Sequence, residues 1–445
     1  MTNVCVIGLG KIGLPLSLVL AKSNHRVFGV EINPIILNNI RDYQNGPNSV
    51  IKVLLERFVN KQFFITNNLT EALANSEIVF VAIGTGISPS GIPELSNLFD
   101  LVNQICRNPA NVKGKLFVLK STLPVGTTRT IATLIENNTG MRCGDHFYLA
   151  FCPERVLGDK AIDEMVSLPK IIGGMNSASC EKAVRIYESI GGKILVVESP
   201  EEAELIKLID NAYRQTLFAF SNDFALLAEH YGVNATHLVK VANDSYPRNN
   251  IPLPSPGVSG YCLTKDPLYL EIAFKEIARK RGFPSVWYCA RKSNDYMPLH
   301  MIELLTKHLT VLGKDLRNVN VMICGVSYKE NTDDTRNSHG VQIATALREA
   351  GANVYVWDPK VSDPHLGFQK VEDPKDVIGS LDALVFTIKH DEFIRLNDGA
   401  ILCMIEKMRT PIIIDGWGIF QQLVGRRGVY YSGVGIPNKR GERLS

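Results

Sequence analysis

Two stretches of the chain carry residues whose types and spacing suit chemistry. The first is Gly8-Leu9-Gly10-Lys11-Ile12-Gly13, which follows the β-prone run Val4-Cys5-Val6-Ile7 and opens a helical pattern. In that setting the first glycine allows a tight turn, the second lets backbone approach a pyrophosphate, and the third lets helix pack close on strand. The helix N-terminus adds free amides and a positive dipole end. Glu31 ends the next strand, about twenty residues on, where a carboxylate can accept both ribose hydroxyls and repel a 2′-phosphate. Gly8, Gly10, Lys11, Ile12, Gly13 and Glu31 therefore read as a dinucleotide site for NAD rather than NADP.

The second stretch is Pro256-Gly257-Val258-Ser259-Gly260-Tyr261-Cys262-Leu263-Thr264-Lys265-Asp266-Pro267. Glycines before Cys262 leave room around its sulfur, and a Lys-Asp pair follows. A nearby cation stabilises a thiolate, and an Asp four residues on can orient a water or another side chain. Cys262 is the expected covalent catalyst. Cys5, Cys106, Cys289 and Cys324 read instead as small buried hydrophobes.

Such residues need elements to hold them. Helix Gly13–Lys22 and strand Arg26–Glu31 complete a β–α–β unit, and further strands are predicted at Ile78–Ile83, Leu116–Lys120 and Phe147–Phe151. That alternation predicts a doubly wound parallel sheet. Glu201 to His230 has apolar residues at helical spacing and no strand signal, which predicts a long core helix or a helix pair. Pro247 to Gly260, rich in proline, is a shaped loop of the length that is usually functional. After Leu316 the β–α–β texture returns at Val319–Gly325, Ser338–Ala350, Asn353–Trp357, Leu384–Ile388 and Ile412–Asp415. The fold class is α/β: two Rossmann-like doubly wound parallel-sheet domains (1–199 and 313–445) joined by a central helical domain (200–312) with a long helix.

Composition narrows the function. The chain has 445 residues, 45% hydrophobic and 21% charged, with a formal net charge of +3. Length favours two or three domains, and near-neutrality gives no reason for a nucleic-acid or charged-membrane partner. No secretory signal or membrane-length apolar run is read. Nine scattered cysteines fit a reducing compartment, so the expected location is cytoplasmic. No cluster has zinc spacing, and no metal is expected.

With these motifs in order along nearly the whole chain, the sequence resembles the UDP-glucose/GDP-mannose dehydrogenase family. Cys262 and Asp266 match that family's Cys-x-x-x-Asp after a glycine-rich loop. Lys120-Ser121-Thr122-Leu123-Pro124-Val125-Gly126-Thr127-Thr128 resembles the segment whose threonine contacts cofactor and catalytic water, which falls on Thr122. Gly84-Thr85-Gly86 stands where the family has Pro-Thr-Pro, placing Thr85 by the cofactor. Cys152-Pro153-Glu154-Arg155 resembles the motif whose glutamate, here Glu154, serves the covalent step. Glu204-x-x-Lys207-x-x-x-Asn211 resembles the central-helix motif, with Lys207 and Asn211 on one helix face. Gly325-Val326-Ser327-Tyr328-Lys329 and Asp333-Asp334-Thr335-Arg336 resemble the second nucleotide domain's pattern, in which Lys329 meets the UDP diphosphate and Arg336 contacts bound ligand, here assigned to the cofactor.

The resemblance implies oxidation of a UDP-sugar C6 alcohol to the carboxylate with two NAD per cycle. Cys262, Lys207, Asn211, Asp266, Thr122 and Glu154 are then catalytic. Glu154, Arg155, Lys207, Asn211, Arg248, Asn250, Gly257 and Lys329 bind substrate. Pro247-Arg248-x-Asn250 and Pro153-Glu154-Arg155-Val156-Leu157 resemble the branch that oxidises UDP-N-acetylmannosamine. UDP-glucose, UDP-N-acetylglucosamine and UDP-N-acetylgalactosamine stay open as substrates. So do a single-hydride dehydrogenase of the hydroxyacid type and a binding protein without catalysis. The family's long helix implies a homodimer or larger homo-oligomer.

Overall fold

The computed structural model describes residues 1–45, 49–88, 91–156, 160–362, 367–396 and 398–437. Leu157, one of the residues behind the sugar expectation, lies outside them. The chain divides into two compact units, Met1–Asp210 and Asn211–Ser445. The division falls inside the 31-residue helix Pro200–His230, which is one continuous helix rather than a pair.

The first unit is built on β1 (Asn3–Ile7), β2 (Arg26–Val30), β3 (Phe63–Thr66), β4 (Ile78–Val81), β7 (Leu116–Leu119), β8 (Tyr148–Phe151), β9 (Lys170–Gly174) and β10 (Ile194–Val197). A two-stranded ribbon, β5 (Gly86–Ile87) with β6 (Pro93–Glu94), stands apart. The sheet order is β10-β9-β8-β7-β4-β1-β2-β3. From β3 to β8 this is the doubly wound 3-2-1-4-5-6 order, whose ligand crevice opens beyond the carboxyl ends of β1 and β4.

The expected parallel sheet needs one correction: β9 pairs with β8 antiparallel, and β10 then follows β9 in parallel. A reversed edge is common in otherwise parallel sheets. It was not legible because an apolar run records burial, not direction. Strands β3, β9 and β10 were not read at all. β9 opens with Lys170 and closes on two glycines, and β10 leaves Leu195 and Val196 exposed on the edge. By contrast Val4, Cys5 and Val6 are fully buried. Helix Gly13–Lys22 is buried from Gly13 to Ala21, packed against the helices Val50–Phe58 and Ala161–Ser167.

In the second unit, β11 (Asn320–Cys324), β12 (Asn353–Trp357), β13 (Gln369–Lys370), β14 (Ala383–Phe386), β15 (Ile412–Asp415) and β16 (Tyr430–Gly433) form a sheet in the order β13-β12-β11-β14-β15-β16. All five pairings are parallel, so the 3-2-1-4-5-6 winding recurs. Helix Val286–Val311 packs on this sheet beside helix His339–Glu349. Met297, Met301, Leu305 and Leu309 enter the same core as Val321, Ile323 and Ile412. The cysteine expectation also needs a correction. Cys5, Cys106 and Cys324 are buried, but Cys289 is exposed, on a part of helix Val286–Val311 that the core does not cover. No helix among the described residues is long and apolar enough to cross a membrane.

Candidate active site

In the first unit the glycine turn is built as a cradle. Gly8 takes φ +89°, a conformation that side chains disfavour, and its amide donates to Val30 O at 2.9 Å. A Cβ on Gly13 would lie 1.7 Å from Gly8 O, so no larger residue lets the helix start there. A Cβ on Gly10 would meet nothing within 4 Å. The protein's own packing does not demand glycine at that position, whereas a pyrophosphate lying on the turn would. Leu9 N–H donates to Glu31 Oε2 at 2.8 Å, and Ile32 and Asn33 amides donate to Oε1 at 2.9 and 2.8 Å. Lys11 and Ile12 complete the turn, the first exposed and the second half-buried.

Across the switch point, Thr85 Oγ1 donates to Thr122 O at 2.6 Å and Ser121 Oγ donates to Ile83 O at 2.6 Å. The ends of β4 and β7 are thereby locked, and the two threonines expected near cofactor are brought together. Next along this edge, Lys120 Nζ lies 3.0 Å from Glu154 Oε2 and donates to Tyr187 OH at 3.2 Å. Burial is the strongest influence on Glu154 and pushes its pKa up, but Lys120, the Arg155 amide and Lys170 together outweigh it and hold the carboxyl below its ordinary range. The thiol of Cys152, next to Tyr187, is pushed up to about 12 by burial. Arg155 turns to Asp210, with Nε 2.7 Å from Oδ2.

Glu204 proves to be a clamp on the loop of Thr122. Its carboxylate accepts from Gly126 N at 2.6 Å, Thr128 N at 2.8 Å and Thr128 Oγ1 at 2.6 Å. An anion at the start of helix Thr127–Thr139 satisfies free amides and complements the dipole. Lys207, one turn further along the long helix, is half-buried.

In the second unit Cys262 is exposed in the first turn of helix Tyr261–Arg281. Pro267 lies within that helix and has no N–H to give, which loosens the turn carrying the cysteine. Gly260, the residue that caps the turn, has φ +85°, and a Cβ there would meet the Tyr328 ring at 2.4 Å. Ser259 Oγ donates to Tyr328 O at 2.7 Å, and Asn337 Nδ2 donates to Thr264 Oγ1 at 3.2 Å. A Cβ on Gly257 would strike Asn294 O at 2.5 Å, so this glycine is required by packing of the loop itself.

Four residues beyond the cysteine, Asp266 is fully buried. Asn211 Nδ2 donates to its Oδ2 at 2.5 Å, and Lys265 Nζ lies 3.2 Å from Oδ1. Arg214 donates to Asn211 Oδ1 at 2.6 Å, so the amide orientation of Asn211 is fixed from both sides. Lys265 lies 4.2 Å above the Tyr269 ring and is committed to Asp266. Lys265, expected to serve the thiolate, is thus paired with Asp266, and Arg336 is a cation whose charge interacts with Cys262. Arg336 is held by Asp334 through Nε at 2.9 Å and Nη2 at 2.7 Å. These hydrogen bonds raise its pKa first, burial opposes them, and the Asp334, Cys262 and Tyr261 charges add to the rise. Lys329 stands half-buried on the same excursion after β11.

Arg248 and Asn250 are exposed on the segment after helix Ala235–Asn243, with Arg248 5.4 Å from the Tyr246 ring centre, and are not joined to this group. Sequence reasoning missed Lys120, Tyr187 and Arg214. The signal for Lys120 was a lysine closing a wholly apolar strand, where an unpaired charge would not be tolerated. A cavity of about 820 Å³ lined by Asn176, Cys180, Glu181, Arg185 and Glu198 includes none of these residues.

Residues 2–191 match the NAD binding domain of the UDP-glucose/GDP-mannose dehydrogenase family, 201–296 its central domain and 322–422 its UDP binding domain. The UDP-N-acetyl-D-mannosamine dehydrogenase of Pyrococcus horikoshii is 33% identical over 94% of this chain and 96% of its own. That of Methanococcus vannielii is 34% identical over 93% and 92%. A solved UDP-glucose dehydrogenase from Pyrobaculum islandicum superposes with a TM-score of 0.84 at 27% identity, covering 98% of both chains. The chain belongs to the UDP-glucose/GDP-mannose dehydrogenase family and is an NAD-dependent nucleotide-sugar dehydrogenase acting on a UDP-sugar.

Proposed function

We propose that this family member oxidises the C6 alcohol of UDP-N-acetyl-D-mannosamine to the carboxylate in two successive steps on Cys262. The observation that carries the reading is an exposed cysteine in the first turn of a helix, with a fully buried Asp266 held by Asn211 and Lys265 in the next turn. The names of the Pyrococcus and Methanococcus relatives support the choice of sugar.

Gly8, Gly10, Lys11, Ile12, Gly13, Glu31, Thr85, Thr122 and Arg336 would hold NAD, which accepts one hydride from C6 in each oxidation, two per cycle. Lys207 stabilises the oxyanion that develops as the hydroxyl loses its proton, and a water held by Asp266 takes that proton. The Cys262 thiolate adds to the aldehyde carbon, giving a thiohemiacetal that cannot diffuse away. Loss of its C6 hydride leaves a thioester on the same sulfur. Water then adds to the carbonyl carbon, the C–S bond breaks, and the carboxylate leaves with the thiolate restored. Glu154 takes the proton of that water, and Thr122 positions it. Arg155, Arg248, Asn250, Gly257 and Lys329 bind substrate, with Lys329 on the diphosphate.

Exposed Tyr213, Phe220 and Leu227 on the long helix support a homodimer or larger assembly. Nine unpaired cysteines support a cytoplasmic location.

The test is NADH yield per mole of limiting UDP-sugar across a panel that includes UDP-glucose and UDP-N-acetylhexosamines, with Cys262→Ala alongside. Two NADH from UDP-N-acetylmannosamine are expected, and none beyond the first in the variant. One NADH from the native enzyme would remove the four-electron scheme, and a preference for UDP-glucose would remove the sugar assignment.

A further inference from the structure

Lys120 directly follows β7, a strand buried at every residue, and its side chain is itself almost wholly buried. A lysine in such a place costs several kcal/mol unless it is paired and hydrogen-bonded. Its partners point one way. Glu154, just beyond the end of the neighbouring β8, lies at 3.0 Å, and Tyr187 OH accepts from Nζ at 3.2 Å. Tyr187 is fully buried in helix Ser177–Glu188, with its ring edge against Phe80 and its hydroxyl beside Cys152. The Tyr187 oxygen accepts from Lys120 Nζ and so holds it on the side away from Glu154. The lysine is thus aimed from behind and presents its charge to Glu154.

We propose that Lys120 is a positioning residue: the Tyr187–Lys120 pair fixes the Glu154 carboxylate at the ligand edge of the first sheet and keeps it ionised for the hydrolytic step. The inference rests on the reading of Glu154 as the group that takes the proton of the attacking water. The charged and titratable groups facing Glu154 are Lys120 at the end of β7, Lys170 at the start of β9, and Cys152 and Tyr187 behind the lysine; Arg155 adds its backbone amide, while its guanidinium is taken by Asp210. Lys170 is itself anchored, its Nζ donating to Leu168 O at 2.5 Å, so it does not replace Lys120 when that charge is removed. Burial then dominates and Glu154 takes up its proton at higher pH.

The test uses Lys120→Met, Lys120→Arg and Tyr187→Phe in the full-length enzyme with saturating NAD and UDP-sugar. For Lys120→Met, the acidic limb of the kcat profile should move up by about one pH unit or more. Its kcat at neutral pH should fall about tenfold or more, with KM for the UDP-sugar within about twofold. Acid-quenched mass spectrometry should show acylated Cys262 accumulating. Lys120→Arg should return the limb toward its native position. Tyr187→Phe, which deletes one hydroxyl and keeps the ring, should shift it in the same direction by less, and serves if Lys120→Met does not fold. Glu154→Gln separates the two claims. If it accumulates acyl-enzyme while the Lys120 and Tyr187 variants leave the limb unmoved, Lys120 is only structural and the inference fails alone. If Glu154→Gln turns over normally with no acyl-enzyme, the reading of Glu154 fails and takes the inference with it.

Discussion

The same frame is built at the start of β1 to β2 and of β11 to β12, and it is put to two uses. In both, the first strand ends on a glycine with positive φ whose amide donates to the end of the second strand, Gly8 to Val30 O and Gly325 to Trp357 O, each at 2.9 Å. In both, the next amide donates to the acid that closes the second strand: Leu9 to Glu31 at 2.8 Å and Val326 to Asp358 at 2.7 Å. In both, a helix glycine sits where a Cβ would strike the first glycine's carbonyl, at 1.7 Å for Gly13 and 2.3 Å for Gly340.

The difference lies in what the acid has left to give. A carboxylate offers about four lone-pair sites. Glu31 accepts from three backbone amides. Asp358 accepts from the amides of Val326, Ser327, Lys360 and Val361, and from His390 Nε2 at 3.3 Å. His390 must carry its proton on Nε2, because Nδ1 accepts from Asn331 N at 2.9 Å. Asp358 is saturated by its own chain and works as a clasp, while Glu31 keeps about one lone-pair site for a further donor. Between Gly325 and Gly340 the short turn is replaced by a long excursion, and it is this excursion, through Tyr328, Arg336 and Asn337, that meets the cysteine loop.

The sharpest way to break the contrast is Asp358→Ala. It strips buried donors of their acceptor, and unfolding of the second unit should become easier by about 3–5 kcal/mol, read by denaturant titration; a loss confined to ligand affinity would put Asp358 in the same class as Glu31. Glu31→Gln should do the reverse. Weakened charge-assisted hydrogen bonds of about 1.5–3 kcal/mol should raise the NAD Kd by roughly ten- to a hundredfold, measured by calorimetry, and narrow the preference over NADP, with a smaller loss of stability than in Asp358→Ala because glutamine keeps one of the two acceptor oxygens.

The smallest expected effect is on acid stability. Burial, the largest influence on Asp358, opposes its charge, but His390 and the Val326 and Lys360 amides bring its pKa down to about 2. A depressed carboxyl stabilises the fold above its unfolded pKa of about 4. That contribution, on the order of 2 kcal/mol, should drain away as pH falls from about 4 to about 2. In Asp358→Asn this part of the pH slope should be missing, and an unchanged slope would remove the clasp from the account.

Much of this frame was legible before the structure. Glycine spacing and a strand-terminal acid identified the first turn, and strands Asn353–Trp357 and Ile412–Asp415 were read to the residue. The second clasp was equally available, since Asp358 follows its strand as Glu31 does, but the long excursion hid the shared pattern. What could not be read were pairings between distant elements. Lys120 finds Glu154, Asp266 finds Asn211 as well as adjacent Lys265, and the charge of Arg336 interacts with Cys262. Sequence proximity favoured Lys265, while burial beside Asp266 spent its charge elsewhere. The reversed β9 was hidden for a related reason, because hydrophobicity marks a strand without its direction.

The winding order also has a consequence for how the chain is made. Each sheet starts in its middle, so the strand synthesised first must wait for its second neighbour. Asn3–Ile7 pairs with Arg26–Val30 early, but its other edge stays open until Ile78–Val81 leaves the ribosome; Asn320–Cys324 waits likewise for Ala383–Phe386. At synthesis rates of about 5–20 residues per second, each apolar edge stands bare for several seconds, a template for the wrong strand. Slow or paused translation within either interval should therefore send more of the nascent chain to aggregates than a pause elsewhere.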